Sequence, residues 1–458
     1  MTDTDLVHHF ARHAATLRYD DMSEPARDAA RKSVLDTLGV IQAASGLEPA
    51  CRAAYQVAIE AGGTPQASLL AYGGKTSAIM AAFANGALVH GLDYDDLTPW
   101  GQHCGSSILP AVFAVAERQG GVSGRDLIAG IAVGQDIFAR LLRYTGWRKD
   151  WNFSTVAGVY AGVAAAGRVM GFDADRMAAA MGIATLQSAG VMEMVAGSGS
   201  DLRGLYAGFS AKGAVLSVLM AEQGLGGIER AFEGPNGVMT CYFDGRYDRE
   251  AMLHGLGQDL MGETTLYKRW PCVGTAHSHM KAALDIVTDH NVALEDIAQI
   301  TLHVGDYHLL MSEPLPERQA PKTSADAKFS LPFLVSVAMV RGGMSVRDFT
   351  AAGLHDPQVL ALAQKVDLHP DPALDWNGAL PPGRVQITLR DGRSWLREGT
   401  RVPGNADNPM TWADLEAKFS ECAAVGVRPL TPEHQSRVIQ MAQALHELPD
   451  ATQILEGL

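Results

Sequence analysis

Apolar positions along the first half of the chain recur with a helical period. Leu6, Phe10, Ala14 and Leu17 fall on one face of an amphipathic helix. His9 and His13 sit four apart on that helix, a spacing able to hold a metal. No third ligand accompanies them nearby, so a surface face is expected. Ser23 ahead of Glu24 and Pro25 reads as a helix start, after which Ala30, Val34, Leu35 and Leu38 form one apolar stripe. A further helix is expected over 78–92. Ala- and Gly-rich helical segments then follow at 107–119, 125–144, 155–169, 175–188 and 202–223, separated by short Gly, Ser or Asp breaks. Several carry apolar residues on nearly every face, as helices buried within a bundle do. No alternating pattern interrupts them, and the region reads as all-α.

Near Tyr267 the period changes. Residues 297–304 (IAQITLHV) alternate like a half-buried strand, and 385–389 and 394–398 flank Asp391-Gly392, a hairpin turn signal. Helices are expected at 331–341 and 357–365, and again at 412–424 and 432–446. The reading is a mainly α fold. A large all-α helical domain spans 1–266 and is completed by returning helices within 405–458; a smaller α+β lid domain spans 267–404.

Composition narrows the partners. With 47% hydrophobic and 19% charged residues the chain is globular rather than disordered. Its net charge of -14 argues against nucleic acid or an anionic membrane, and leaves a small anionic substrate only where cations gather locally. The five cysteines are scattered, with no CxxC spacing, which points to reduced thiols, no zinc site and a cytoplasmic location. The polar N-terminus carries no signal-peptide core. The apolar run over 156–167 falls short of the ~20 residues needed to cross a bilayer, so a soluble protein is expected.

Two stretches concentrate chemistry. In ALVHGLDYDDLTPWGQHCGSSILP (87–110), Asp93, Asp95 and Asp96, followed by His103, fall at or just beyond a helix C-terminus, where the macrodipole disfavours negative charge. The loop is either a solvated acidic turn or an active site. A divalent cation could use the three carboxylates, but no second acidic cluster completes a shell, and no metal is expected. In YKRWPCVGTAHSH (267–279), Lys268, Arg269, His277 and His279 place cations where the helical region gives way to the α+β one. On a helix His277 and His279 would face about 200° apart, so they share no metal. Other motifs fail. GGKT at 73–76 has Leu69 where a phosphate loop needs glycine, GFSAK at 208–212 lacks the closing glycine of a nucleophile elbow, and no dinucleotide fingerprint follows a strand.

Five segments resemble the MmgE/PrpD family: LDTLGV at 35–40, ANGALVHGLDYDD at 84–96, His103 followed by SSILPAV, the lysine-to-histidine stretch from Lys268 to His277, and DAKFSLPF at 326–333. The resemblance implies a helical domain with an α+β lid, an active site between them, a homodimer and no cofactor. It also implies action on small dicarboxylates or tricarboxylates beside a carboxylate: 2-methylcitrate dehydration, cis-aconitate decarboxylation or iminodisuccinate epimerisation. Asp93, His103 and Lys268 match family positions. At three places the chain departs from the dehydratases and decarboxylases. Asn152 or Phe153 replaces a histidine, Arg203 ahead of Leu205-Tyr206 replaces a lysine ahead of Leu-His, and Val273 replaces a further histidine. Loss of histidines harms elimination more than two-base proton transfer. The reading is therefore a cofactor-independent epimerase of iminodisuccinate or a similar amino-linked dicarboxylate. Alternatives are a lyase acting on 2-methylcitrate-like or cis-aconitate-like tricarboxylates, and a non-catalytic helical binding protein. Proton transfer is expected from Lys268, His103 and Asp93, with Tyr144 as a further candidate. Arg203, Arg269, His277, Tyr206 and Asn152 are expected to bind substrate.

Overall fold

The computed structural model describes residues 4–196 and 201–458. The helix start that the sequence signals at Ser23 is closed by its side chain, and Ser77 closes another. Ser23 Oγ accepts from the Ala26 amide ahead of Glu24–Leu47, and Ser77 accepts from Met80 ahead of Ala78–His90. Ala78–His90, Gly105–Arg118, Gly124–Arg143, Phe153–Val169 and Leu202–Glu222 pack on one another as the centre of a bundle. Leu6–Thr16, Glu24–Leu47 and Ala174–Ala184 pack around it, and Trp412–Ala423 and Pro432–Gln443 return to the flank of Glu24–Leu47. Small residues let the central helices touch. A Cβ on Gly208 would lie 2.4 Å from the Phe83 carbonyl oxygen, so Leu202–Glu222 can approach Ala78–His90 only with glycine there.

One hydrophobic cluster joins residues from Leu6 to Tyr267, and Val346, with residues from Met410 to Leu458; a second runs from Trp270 to Val402. The second surrounds a four-stranded sheet in the order Val366–Pro370, Ile297–Val304, Arg384–Leu389, Ser394–Glu398. The last two strands form the antiparallel hairpin expected around Asp391-Gly392. Helices His277–Asp289 and Leu331–Arg341 pack together within this cluster. The architecture is mainly α with a smaller α+β part.

Four local readings change. Val366–Pro370 is a strand, paired in parallel with Ile297–Val304, directly after a helix that ends at Ala363. A two-residue ladder, Ala67–Ser68 with Lys75–Thr76, interrupts the helical region. Leu202–Glu222 is long and apolar enough to cross a bilayer, but 67% of its most apolar window is buried inside the fold, as in a core helix. His13 is not on a surface face. It is buried with Nε2 3.0 Å from Asp136, whose carboxylate also accepts from the Arg140 guanidinium at 2.9 Å.

Two histidines of the smaller part titrate against its stability. The rings of His279 and His308 lie 4.7 Å apart; His279 Nε2 donates to the His303 carbonyl at 2.7 Å, and His308 Nδ1 accepts from the Gly305 amide. Burial pushes His279 down to about 3 and His308 down to about 4. Unfolded histidine binds protons below about pH 6.5, and these two do not while folded, so their contribution is lost as pH falls from there. Urea midpoints are expected to drop between pH 6.5 and 5, with a shallower drop for His308→Gln. An unchanged slope in that variant would remove His308 from the account.

Candidate active site

The Ala78–His90 helix ends in a turn whose chain reverses at Asp93, which adopts a left-handed φ of 50°. The acidic stretch is not a solvated turn: Asp93, Asp95 and Asp96 are 4%, 1% and 3% exposed. Buried lysines supply the positive charge that a helix C-terminus favours. Lys268 Nζ donates to the Asp93 carbonyl at 2.6 Å and lies 3.1 Å from its carboxylate. Lys328 Nζ donates to the Gly91 carbonyl at 2.7 Å and to Glu48 at 2.7 Å. The Lys268 segment is fastened alongside by paired main-chain bonds between Leu97 and Leu266, and by the Tyr94 hydroxyl donating to the Arg269 carbonyl.

His103 completes the group. Its Nδ1 donates to the Asp96 carbonyl at 2.7 Å, an oxygen that can only accept, so Nε2 is the nitrogen that titrates. Nε2 lies 3.3 Å from the same Asp93 oxygen that meets Lys268. Lys268 and His103, far apart in sequence, thus share one carboxylate. Burial would raise the Asp93 carboxyl, but the Lys268 ammonium and His103 hold it well below the usual range. Burial would lower His103, but Asp95 and Asp93 keep it above its ordinary value.

Asp95 and Asp96 have separate tasks. Asp95 accepts from His90 Nδ1 at 3.0 Å, and against the upward push of burial its two histidine neighbours bring it down to about 2. Burial pushes His90 below its ordinary value despite Asp95, which leaves a neutral imidazole with a lone pair on Nε2. Asp96 accepts from the Gly105 amide at the start of Gly105–Arg118; burial, then Asp95, raises it to about 7. His90, Asp93, Asp95 and His103 bring four ligand-type atoms within 4.8 Å of one another. The Lys268 ammonium already supplies the positive charge such a cluster calls for.

His90, Asp93, His103 and Lys268 form one wall of a cavity of about 70 Å³. Asn152, Arg203 and Tyr206 come to it from the helical region; Val273, Gly274 and Thr275 from the stretch after Lys268; and Tyr307, Phe329, Trp376 and Leu380 from the α+β part. Asn152 caps Phe153–Val169 through Oδ1, which leaves its amide NH₂ as the group it can offer. Arg203 stacks on Phe329, 3.2 Å from the ring centroid, and burial lowers its guanidinium to about 10, still charged near neutrality. Trp376 roofs the site over Gly101, where a Cβ would stand 2.7 Å from the indole. Lys149 holds that roof, 3.3 Å from Asp306 and 3.4 Å from the Trp376 carbonyl.

Three sequence candidates lie off the cavity wall. Tyr144 closes the Gly124–Arg143 helix and packs against the main core, its carbonyl accepting from Asp248. Arg269 contributes its carbonyl to Tyr94, while its charge acts on Asp414. His277 packs beside Trp270; burial, then Lys268, lowers it to about 3, so it is no cation at neutral pH. His90, Tyr307 and Trp376 line the cavity without having been singled out. His90 lies inside the motif at 84–96, whereas no local pattern marks the other two.

The MmgE/PrpD N-terminal domain matches residues 8–250 and the MmgE/PrpD C-terminal domain residues 270–447. A cis-aconitate decarboxylase from Aspergillus terreus is 27% identical over 99% of this chain and 95% of its own length. The Homo sapiens cis-aconitate decarboxylase is 25% identical over 82% of this chain and 79% of its own. The N-terminal match lies on the first hydrophobic cluster, the C-terminal match spans the second and continues into the returning helices Trp412–Ala423 and Pro432–Gln443, and the chain belongs to the MmgE/PrpD family.

Proposed function

We propose that the protein moves a proton at the carbon beside a carboxylate of a small polycarboxylate, and that the reaction is epimerisation of iminodisuccinate or a similar amino-linked dicarboxylate. The observation that carries the reading is the sharing of Asp93 by Lys268 and His103, with Arg203 in the same cavity. Arg203 holds a substrate carboxylate and, with Lys268, stabilises the enolate-like charge that builds as the C–H bond breaks. One member of the Lys268, His103 and Asp93 group takes the α-proton and another returns a proton to the opposite face, so no atom is gained or lost. Arg203, Tyr206 and Val273, and Asn152 of the Asn152-or-Phe153 pair, where the chain departs from decarboxylase-like sequences, line the cavity, which supports epimerase over lyase.

A second reading, a lyase acting on a cis-aconitate-like tricarboxylate, draws support from the names of the relatives. Incubation in deuterated water separates them. Deuterium at the α-carbon of iminodisuccinate without loss of water or carbon dioxide is expected. Carbon dioxide from cis-aconitate, or an alkene from 2-methylcitrate, would favour the lyase, and neither signal would remove both.

We also propose a homodimer. Leu202, Phe209 and Met220, exposed on one stripe of Leu202–Glu222, offer an apolar face of the kind subunits cover. Light scattering is expected to give twice the 48.7 kDa chain mass, and Phe209→Glu to lower it. A monomeric wild type would end this proposal.

A further inference from the structure

The returning helix Trp412–Ala423 sends one side chain beneath the catalytic wall. Lys418 is 1% exposed and lines no part of the cavity. Its Nζ lies 2.7 Å from the Asp36 carboxylate, itself buried, and donates to the Tyr94 carbonyl at 2.7 Å and to the Lys268 carbonyl at 3.1 Å. The ammonium also sits 3.7 Å from the Tyr94 ring centroid. Those two carbonyls belong to different segments. One follows Asp93 directly; the other belongs to Lys268, whose side chain reaches back to Asp93. Lys418 therefore joins the main chains on which the two partners stand, and Asp36, from the early LDTLGV segment, balances its charge.

We propose that Lys418 is a positioning residue, which sets the Asp93–Lys268 geometry by tying the Tyr94 main chain to the Lys268 main chain. The inference rests on the reading of Asp93 and Lys268 as proton-transfer groups. Three observations carry it. The turn needs holding, since Asp93 is a non-glycine residue in the left-handed region. Lys328 and Lys268 bond the Gly91 and Asp93 carbonyls, so Lys418 is the third buried lysine on this turn, and of the three it alone bonds the main chain of both segments. Finally, its partner Asp36 accounts for the charge without the cavity, so Lys418 has no need of a ligand to be stable where it lies.

Lys418→Met by itself would strand the Asp36 carboxylate and report on folding. The informative variant is Asp36→Asn/Lys418→Met, which removes both charges together. Its kcat for α-proton exchange is expected to fall about 10²-fold, as a misplacement near 1 Å does, with KM within about threefold of wild type. The acid limb of kcat/KM is expected to move to higher pH, because a displaced Lys268 no longer holds the Asp93 carboxyl down. Amide hydrogen exchange is expected to quicken in 91–97 and 266–272 and to stay as it was elsewhere. An unchanged kcat and acid limb would overturn the proposal, and so would faster exchange spread evenly over the chain. Hydrogen exchange needs no substrate. If the wild type turns over neither iminodisuccinate nor cis-aconitate, the functional reading fails, while exchange in the two segments still decides whether Lys418 ties them.

Discussion

Lys268→Met is expected to slow α-proton exchange by about 10³-fold, inside the 10²–10⁴ range for a positioned acid–base group. The variant loses more than a proton carrier. Asp93 is buried and draws its nearest positive charge from Lys268, 3.1 Å away. Without it the carboxyl climbs out of the depressed range and stops serving His103 as a fixed anion. A companion variant, Lys268→Met/Asp93→Asn, removes the stranded charge. It is expected to regain stability without regaining rate. Exchange within threefold of wild type in the single variant, followed by mass spectrometry, would take Lys268 out of the chemistry.

Arg140→Met is expected to cost about 3–5 kcal/mol of stability, the usual loss when one partner of a buried ion pair is removed. Arg140 is 1% exposed and serves many groups at once. Nε donates to both oxygens of Asp136, Nη1 to the Met252 and His254 carbonyls, and Nη2 to those of Gly255 and Asp259. Asp136 also accepts from the Met261 amide and neighbours His13. The segment pinned in this way runs straight into Leu266 and Lys268. Urea unfolding measures the loss, and a change below about 1 kcal/mol would mean that water replaces the guanidinium without difficulty.

Period and punctuation carried most of the fold. The strand Ile297–Val304, the hairpin at Asp391-Gly392 and the main helices all follow from patterns a dozen residues long. What escaped depends on partners far away. The VDLHP strand alternates over only five residues, too few to stand out behind a helix, and is fixed by the edge that Ile297–Val304 offers. His13 looked external because its partner, Asp136, lies in another helix. The site divides similarly. Asp93, His103 and Lys268 stand in dense polar stretches and are brought together, with Asn152, Arg203 and Tyr206 beside them. Tyr144, Arg269 and His277 have suitable chemistry but point into other packing. Tyr307 and Trp376 are ordinary aromatics until the fold of the α+β part carries them over the cavity.

The buried lysines also set a timetable. Asp36, Glu48 and Asp93 are made early, whereas Lys268, Lys328 and Lys418, which neutralise the carboxylates at that turn, emerge from the ribosome in that order and much later. Until the last of them docks, closing the bundle would bury bare anions. Sealing of the core is therefore expected to follow synthesis of the last helix, together with assembly of the pocket.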